Sequence, residues 1–346
     1  MLPQEARIED RRLSCELLST LAAQFVFRGV ALAGVFRRLH RRAFRAVHIP
    51  RSGKNNLFVS LEQIPVAYSR DSSTHLRTGL ERTEFIVLYP MAPPQLQLLR
   101  PLYLLCLSGF FGLLTIVKLI ASLRPSTFLQ WSSFQDEWFA TFWVYFGPIA
   151  RENASSSVTP LVSQARGVVL DIGPGAGHWV HLFDRSKVSK VYGVEPNRGH
   201  HAALRQRVRD AGLQDVYEVI GSGVENLEDF GIAKGSVDTV VTVQCLCSVP
   251  RPGTIIQDLY SYLAPGGQWL VFEHVRARRG NLVAWYQAKI DYIWPRFFGG
   301  CSITRPTDEM LLQAGKWKSV SLKNVAGETD YDVIPHITGI LVKGGR

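Results

Sequence analysis

Apolar and polar positions alternate in blocks along the second half of the chain. Short runs rich in β-branched residues, each the length of one strand, are separated by longer stretches of mixed character; the runs are 168–170, 190–194, 216–220, 237–243 and 268–272. Alternating strands and helices are typical of a parallel sheet that carries helices on both faces. We therefore predict a Rossmann-like α/β fold from about residue 166 onward.

A different pattern precedes this region. Residues 102–117 are uncharged and strongly apolar, with Arg100 before them and Lys118 and Arg124 after them. Sixteen helical residues rise about 24 Å, short of the roughly 30 Å hydrocarbon core of a bilayer, and extension to Leu123 would reach full length. We expect a membrane helix, spanning or half-inserted; the alternative is a buried core helix. The aromatic-rich stretch that follows, 134–154, predicts an amphipathic helix over either a cofactor or a membrane surface.

The first ninety residues differ in composition from the rest. They hold 14 basic and 8 acidic residues of a chain whose net charge is +10, and 55–90 show no sustained period. Met91 stands directly before the apolar stretch. We expect 1–90 to be a poorly ordered extension, either upstream of a true start at Met91 or a genuine arm, followed by a membrane anchor (91–130) and a catalytic domain (131–346).

Composition argues against two kinds of partner. No basic stripe interleaved with aromatic residues accompanies the motifs below, so we expect no nucleic-acid partner. The five cysteines show neither Cys-x-x-Cys nor Cys/His ligand spacing, so we expect no metal site; they are Cys15, Cys106, Cys245, Cys247 and Cys301. Free thiols of this kind fit a reducing compartment.

A glycine-rich turn carries the first chemical signal. The run 168–170 ends at Asp171 and leads into Gly173, Gly175 and Gly177, after which a helix is predicted from His178. Glycines let the backbone approach a ligand where a Cβ would clash. The spacing is G-x-G-x-G, whereas dinucleotide sites use G-x-G-x-x-G. The acid before the glycines can hold an ammonium group, so S-adenosylmethionine is favoured over NAD as the cofactor.

Acids at the next strand ends extend this site. Glu195 follows the second run about 20 residues past the glycine turn, where it can accept hydrogen bonds from both ribose hydroxyls. Glu225 lies in the loop after the third run, where it either borders the adenine or caps a helix. Gln244, at the carboxyl end of the fourth run, completes the predicted cofactor site, because ligands bind at that edge of open α/β sheets.

The acceptor is expected beside the ends of the fourth and fifth runs. Cys245 follows Gln244, and Glu273 and His274 end the fifth run, facing the expected pocket. His274 is the candidate general base, since histidine titrates near neutrality; a packed, hydrogen-bonded histidine is the alternative. Trp285 and Tyr286, in the segment that follows, are expected to complete the acceptor pocket.

With these motifs placed, residues 134–343 resemble the methyltransferase-like-7 family, the membrane-bound alkyl thiol methyltransferases. The resemblance rests on 236–241, 246–249, 263–267, 272–275, 298–305 and 335–339. It implies the class I S-adenosylmethionine-dependent methyltransferase fold, with a mostly parallel seven-stranded sheet behind an N-terminal membrane helix. The glycine loop departs from the family at Pro174 and Ala176, and the acceptor side, up to Cys301, departs further.

The resemblance implies methyl transfer to a small, apolar acceptor, with a thiol as the first choice. An O- or N-methyltransferase of a secondary metabolite remains open, as does a membrane protein that binds the cofactor without turnover. We expect the lipid surface as a second partner. The expected location is the endoplasmic reticulum membrane, with the catalytic domain in the cytosol, where the cofactor is supplied.

Overall fold

The computed structural model describes residues 94–345, except Leu123 and 279–280. The expectations for 1–90 and for Met91 lie outside this part of the chain. All described residues belong to one compact unit.

Seven strands form one sheet in the order β3-β2-β1-β4-β5-β7-β6. The strands are β1 Gly167–Ile172, β2 Val188–Val194, β3 Tyr217–Ile220, β4 Val237–Val243, β5 Leu263–His274, β6 Trp317–Asn324 and β7 His336–Lys343. The first five pair in parallel, and β7 runs antiparallel to both β5 and β6. This mostly parallel seven-stranded sheet confirms the predicted fold class.

Helices cover both faces of the sheet. They are α1 Arg100–Ala121, α2 Trp131–Val162, α3 Arg198–Asp210, α4 Pro252–Tyr262, α5 Asn281–Asp291, α6 Trp294–Phe297 and α7 Thr307–Gln313. Adjacent residues of β1 point to opposite faces: Val169 packs with α2 and α3, and Leu170 packs with α4 and α7. Burial on both sides explains why these strands are continuous apolar runs rather than alternating ones.

The strand order places the candidate site. The chain leaves β1 in one direction towards β2 and β3, and it returns on the other side of β1 through β4 and β5. A crevice opens at such a switch point, beyond the carboxyl ends of the strands. Asp171, Gln244 and His274 stand at those ends, on three neighbouring strands.

The prediction of a helix directly after the glycine turn is wrong. The chain forms only a single 3₁₀ turn, Val180–Leu182. Phe183 then takes an extended conformation and is 5% exposed in the core, so its burial ends the turn. Asp184 next accepts a hydrogen bond from the Ser186 amide (2.9 Å), which directs the chain into β2.

Strand β5 begins earlier than its apolar run indicates. Val237 of β4 pairs with Leu263, but Thr239 pairs with Gln268, so the register shifts between them. The intervening residues contain Gly266 at φ +79°. The predicted turn at 263–267 is therefore a bulge within one strand rather than a connection before it.

The apolar segment forms α1, which packs against the catalytic domain along one side. The Trp138 indole donates to the Ser108 carbonyl (2.7 Å), and the Ser108 hydroxyl donates to the Phe297 carbonyl (2.8 Å). The opposite side exposes large apolar residues, among them Leu113, Val117 and Ile120. Gln97–Ala121 is long and apolar enough to cross a membrane, with a mean hydropathy of 2.2.

Candidate functional site

The turn after β1 requires glycine. Gly173, Gly175 and Gly177 have φ of +64°, +56° and +83°, a region that L side chains rarely adopt. Space is limited as well, because a Cβ on Gly173 would lie 2.6 Å from the Cβ of Cys245. The turn is thus held close to the end of β4.

Glu195 ties this turn to the end of β2. Its Oε2 accepts a hydrogen bond from the Gly175 amide, and its Oε1 accepts one from the Asn197 amide, both at 2.8 Å. The side chain is buried, and burial raises its pKa to about 7 although both hydrogen bonds act to lower it. The carboxylate therefore positions the loop that the glycine motif assigned to the cofactor.

Asp171 lies beside it in the same buried pocket. Tyr217 of β3 donates a hydrogen bond of 2.7 Å to Asp171 Oδ2. Burial raises the pKa of Asp171 to about 7, against the lowering effect of the Tyr217 hydroxyl. Within 94–345, apart from the three omitted residues, Asp171 has no ion-pair partner. A cation brought to this acid would favour its ionised form.

Helix α2 covers the glycine turn. The Trp143 indole nitrogen lies so close that a Cβ on Gly175 would be 3.3 Å from it, and Phe139 stacks on Trp143 at 5.4 Å between ring centroids. Where α2 passes His178, the helix carries Gly147, and a Cβ there would lie 2.3 Å from the His178 Nε2. The aromatic-rich stretch thus lies over the crevice, one of its two predicted positions.

A cleft of about 760 Å³ runs from these acids to the ends of β4 and β5. Its far end is apolar and aromatic, with a few polar groups, and is lined by Leu104, Phe142, Trp294, Phe298, Ile334 and His336. Glu225 lies on the rim and is solvent-exposed. Its short helix, Val224–Phe230, has no side-chain cap, so the capping role considered for Glu225 is not seen.

Gln244 sits where the two ends of the cleft meet. It has φ +55°, an uncommon conformation for a residue other than glycine and one that often marks a functional position. Its Nε2 lies 3.2 Å from the His336 Nε2 and 3.5 Å from the His274 Nε2. Cys245 also lines the cleft.

Glu273 does not face the cleft, contrary to expectation. It is fully buried, and its Oε1 accepts hydrogen bonds from the amides of Cys245 and Leu246, both at 3.1 Å. Neighbouring residues of a strand point in opposite directions, so Glu273 and His274 cannot both enter the pocket. Glu273 instead holds the loop that follows β4.

His274 lines the cleft, as predicted, but both its ring nitrogens have close neighbours. Its Nδ1 is 3.7 Å from Cys301 Sγ, and its Nε2 is 3.5 Å from Gln244 Nε2. Its ring centroid is 4.6 Å from that of His336. Burial lowers the pKa of His274, but the nearby Cys247 and Glu273 raise it, and the net result lies above its ordinary value.

Trp285 and Tyr286 are not brought to the cleft. Trp285, on α5, is 59% exposed, and the Lys289 ammonium lies 5.7 Å from the centre of its ring. Tyr286 is partly buried and packs against the apolar cluster that includes Val283 and Trp294, but it is not itself among the residues that line the cleft. The two residues come from a helix whose rotation the sequence does not fix.

The cleft also contains an acid–histidine pair that local sequence patterns did not reveal. The His336 Nδ1 lies 2.6 Å from Glu328 Oε1, and the His336 amide donates to Glu328 Oε2 at 2.9 Å. Both residues line the cleft. Burial raises the pKa of Glu328 to about 7 and lowers that of His336 well below its ordinary value. The only sequence signal was that His336 lies in 335–339, one of the stretches behind the resemblance.

A cluster of two cysteines and a histidine was missed in the same way. Ligand atoms of Cys247, His274 and Cys301 all lie within 4.8 Å of one another, and the three residues line the cleft. The expectation of no metal site relied on spacing along the sequence. Here the three donors come from separate segments, so no local spacing could reveal them.

The residues at the β1–β2 end fit a nucleoside that carries an amino-acid group. The turn contains glycines at which an added Cβ would crowd the neighbouring side chains. A buried acid without an ion-pair partner among the described residues lies next to this turn. His178 Nε2 is buried in the same cleft, also without a hydrogen-bond partner in the described part of the chain. These groups offer an acceptor for an ammonium and hydrogen-bonding groups for a polar ligand, which suits S-adenosylmethionine.

The known proteins to which the chain is similar are methyltransferases. Residues 149–309 match the family described as "Methyltransferase domain". The chain is 28% identical over 223 residues to the thiol S-methyltransferase TMT1A of Homo sapiens, covering 62% of this chain and 89% of that protein. It is 29% identical over 177 residues to the thiol S-methyltransferase TMT1B of Rattus norvegicus, covering 51% of this chain and 70% of that protein.

The fold, the glycine turn with its acids and these similarities agree with one another. They confirm the predicted cofactor and the predicted class of enzyme. The chain is a class I S-adenosylmethionine-dependent methyltransferase that is similar to the thiol S-methyltransferases.

Proposed function

We propose that this enzyme methylates the sulfur of a small, apolar thiol. The observation that carries the proposal is the shape of the cleft, which joins a buried acidic end to an apolar, aromatic end within about 760 Å³. That volume is in the range of sites for small molecules. The names of the similar enzymes add support for sulfur as the acceptor atom.

At the acidic end, each residue has a role that follows from its contacts. In this proposal Asp171 holds the cofactor's ammonium group, and Glu195, which already accepts hydrogen bonds from two backbone amides, also accepts from the ribose hydroxyls. The turn of Gly173, Gly175 and Gly177 admits the ligand close to the backbone. Glu225 on the rim and Gln244 at the β4 end complete the proposed cofactor site.

At the other end, the protein mainly positions the acceptor. The cofactor supplies an electrophilic methyl group, and such a displacement depends on proximity and alignment. Phe142, Trp294 and Phe298 give an apolar surface against which an alkyl or aryl group can pack. A thiol has a reference pKa near 8.5, so it requires little help from a base.

We further propose that α1 anchors the enzyme at a membrane, with the cleft on the cytosolic side of the endoplasmic reticulum. Support comes from the apolar length of Gln97–Ala121 and from the exposed apolar residues near it. One side of α1 is occupied by α2 and α6, so a half-inserted helix fits these contacts better than a freely spanning one. Retention of the full-length protein on membranes after a carbonate wash would be the expected result.

An oxygen acceptor is the second candidate. The observation in its favour is the Glu328–His336 pair, because a hydroxyl group of higher pKa needs a base more than a thiol does. The test must also distinguish thiol methylation from methylation of a nitrogen in a secondary metabolite and from cofactor binding without turnover.

The test is a transfer assay with cofactor that carries a labelled methyl group. Thiols, phenols, alcohols and amines with the same alkyl chain are compared, using full-length protein in detergent. We expect label in the thioether product and at least about a tenfold preference for the thiol, which corresponds to roughly 1.4 kcal/mol. Asp171→Ala serves as the inactive control. Preference for the phenol would establish the second candidate, and cofactor binding without any product would contradict catalysis.

A further inference from the structure

Two thiols and an imidazole meet at the apolar end of the cleft. Cys247 follows β4, His274 ends β5, and Cys301 follows α6. Their donor atoms lie within 4.8 Å of one another, and the Cys301 Sγ is 3.7 Å from the His274 Nδ1. Both cysteines are buried, yet all three residues line the cleft.

These distances suit a tetrahedral metal ion. With Zn–S bonds of about 2.3 Å and Zn–N bonds of about 2.0 Å, a tetrahedral site has S···N edges of about 3.6 Å and S···S edges of about 3.8 Å. The observed Cys301–His274 distance of 3.7 Å is close to the first of these. Thiolate and imidazole ligands in this proportion favour Zn²⁺ over hard cations such as Mg²⁺.

The segments that carry the donors are held in place by other residues. Asp291 of α5 accepts hydrogen bonds from the Ile303 amide (2.7 Å) and the Thr304 hydroxyl (2.6 Å), which fixes the segment after Cys301. Arg305 donates to the carbonyls of Leu246 and Val249, the latter at 2.9 Å, so the loop with Cys247 is fixed as well. The donors are therefore already in position before a metal arrives.

We propose that Cys247, His274 and Cys301 bind a Zn²⁺ ion whose fourth coordination position takes the sulfur of the acceptor. The inference rests on the proposed function and names how that function is performed. Three protein ligands with one open position are the arrangement of catalytic rather than structural zinc. In this role His274 is a metal ligand rather than a general base.

The proposed reaction begins when the acceptor thiol binds Zn²⁺ and loses its proton to solvent. A lone pair of the bound thiolate sulfur then forms the new bond to the cofactor's methyl carbon. The bond between that carbon and the sulfonium sulfur breaks, and its electron pair stays on the departing sulfur. The products are a methyl thioether, S-adenosylhomocysteine and one proton. A neutral thioether is a weaker ligand than a thiolate, so it leaves the metal.

Metal content of the full-length protein in detergent gives the first test. We expect about one zinc ion per chain, reduced at least about fivefold in Cys247→Ser, His274→Ala and Cys301→Ser. Cys106→Ser is the matched control, because Cys106 is a free, exposed cysteine on α1 outside the cluster. Zinc content that is unchanged in Cys301→Ser, or a Cys247–Cys301 disulfide in place of metal, would overturn the proposal.

Cobalt gives a readout that does not depend on turnover. After zinc is replaced by Co²⁺, we expect a thiolate-to-metal charge-transfer band that disappears in Cys301→Ser and persists in Cys106→Ser. Addition of the acceptor thiol, but not of the matching alcohol, should shift the d–d bands.

Removal of the metal separates this inference from the proposed function. Metal-free enzyme should keep its cofactor affinity, but its rate of thiol methylation should fall at least about a hundredfold. Added Zn²⁺ should restore that rate. An unchanged rate of thiol methylation without metal would contradict the zinc proposal and leave the thiol assignment intact. A zinc-loaded enzyme that methylates only phenols would contradict both.

Discussion

The Tyr217 hydroxyl and the Asp171 carboxylate are joined by a hydrogen bond of 2.7 Å at the acidic end of the cleft. The two residues lie on β3 and β1, with β2 between them. The contact reaches Asp171 past Gly193 of β2, where a Cβ would lie 2.3 Å from the Tyr217 oxygen. Tyr217 thus supports the ionised form of an acid that burial would otherwise keep neutral.

Tyr217→Phe should therefore weaken cofactor binding. Loss of a hydrogen bond to a charged group costs on the order of 1.5 kcal/mol, so we expect about a tenfold higher dissociation constant by calorimetry. Tyr260→Phe is the control, because it also removes a tyrosine hydrogen bond (2.8 Å to the Lys316 carbonyl) but far from the cleft. Equal affinity in the two variants would show that the Tyr217 contact serves only folding.

Cofactor affinity should rise with pH through neutrality. The pKa of Asp171 is raised to about 7 and that of Glu195 to about 7, so both are largely protonated in the free enzyme near pH 6. Only ionised Asp171 pairs with an ammonium group. We expect the dissociation constant to fall between pH 5.5 and pH 7.5, as measured by calorimetry, and this dependence to be weaker in Asp171→Asn.

The stability of the ligand-free enzyme should change in the opposite direction. An acid whose folded pKa is raised binds its proton more tightly in the folded state, so its contribution to stability is lost as pH rises from the unfolded pKa towards 7. The melting temperature without cofactor should fall across this window, and less steeply in Asp171→Asn. A melting temperature that rises with pH in the wild type alone, but not in the variant, would show that Asp171 is ionised when the cofactor is absent.

Glu195→Ala should be more damaging than Glu195→Gln. The carboxylate holds two amides as well as the proposed ribose contacts, and its loss should cost on the order of 2–3 kcal/mol of cofactor affinity. Glutamine keeps one acceptor oxygen and should show an intermediate loss. If calorimetry gives unchanged affinity in Glu195→Ala, the ribose assignment is incorrect.

Gly147→Ala should destabilise the enzyme although alanine favours helices. The new Cβ would lie 2.3 Å from His178 Nε2, so the buried ring would have to move. Gly253→Ala in α4 is the matched control, because nothing lies within 4 Å of its new Cβ. This variant should have a free energy of unfolding that is higher by up to roughly 1 kcal/mol. Thermal unfolding with and without cofactor would measure both effects. Equal stabilisation of the two variants would mean that α2 is not held against His178.

Trp285→Ala should leave the KM for the acceptor unchanged, within about twofold, because the indole is 59% exposed and outside the cleft lining. Phe298→Ala, which removes a ring from the cleft lining, should raise that KM with little effect on cofactor affinity. An equal rise in KM in both variants would show that α5 closes over the acceptor during turnover.

Local patterns predicted the strands and the turn at the acidic end of the cleft well, and the residues brought together at its apolar end poorly. The apolar run 237–243 coincides with β4, and the glycines and Glu195 stand at neighbouring strand ends, because strand, turn and acid are close in sequence. His274 and His336 face each other only because β7 pairs antiparallel with β5 in one register. Cys301 approaches Cys247 through the packing of α5 and α6, and the rotation of α5 also removes Trp285 from the cleft. None of these arrangements has a signature in the local sequence.

Helix α1 contributes Arg100 and Leu104 to the wall of the cleft in addition to its contacts with α2. A truncation that removes the helix to obtain soluble protein would therefore open the catalytic chamber itself. If α1 anchors the enzyme at a bilayer as proposed above, turnover should follow the mole fraction of acceptor in the lipid rather than its bulk concentration. Dilution of the acceptor with inert lipid or detergent would slow the reaction while the total amounts of enzyme and acceptor stay fixed.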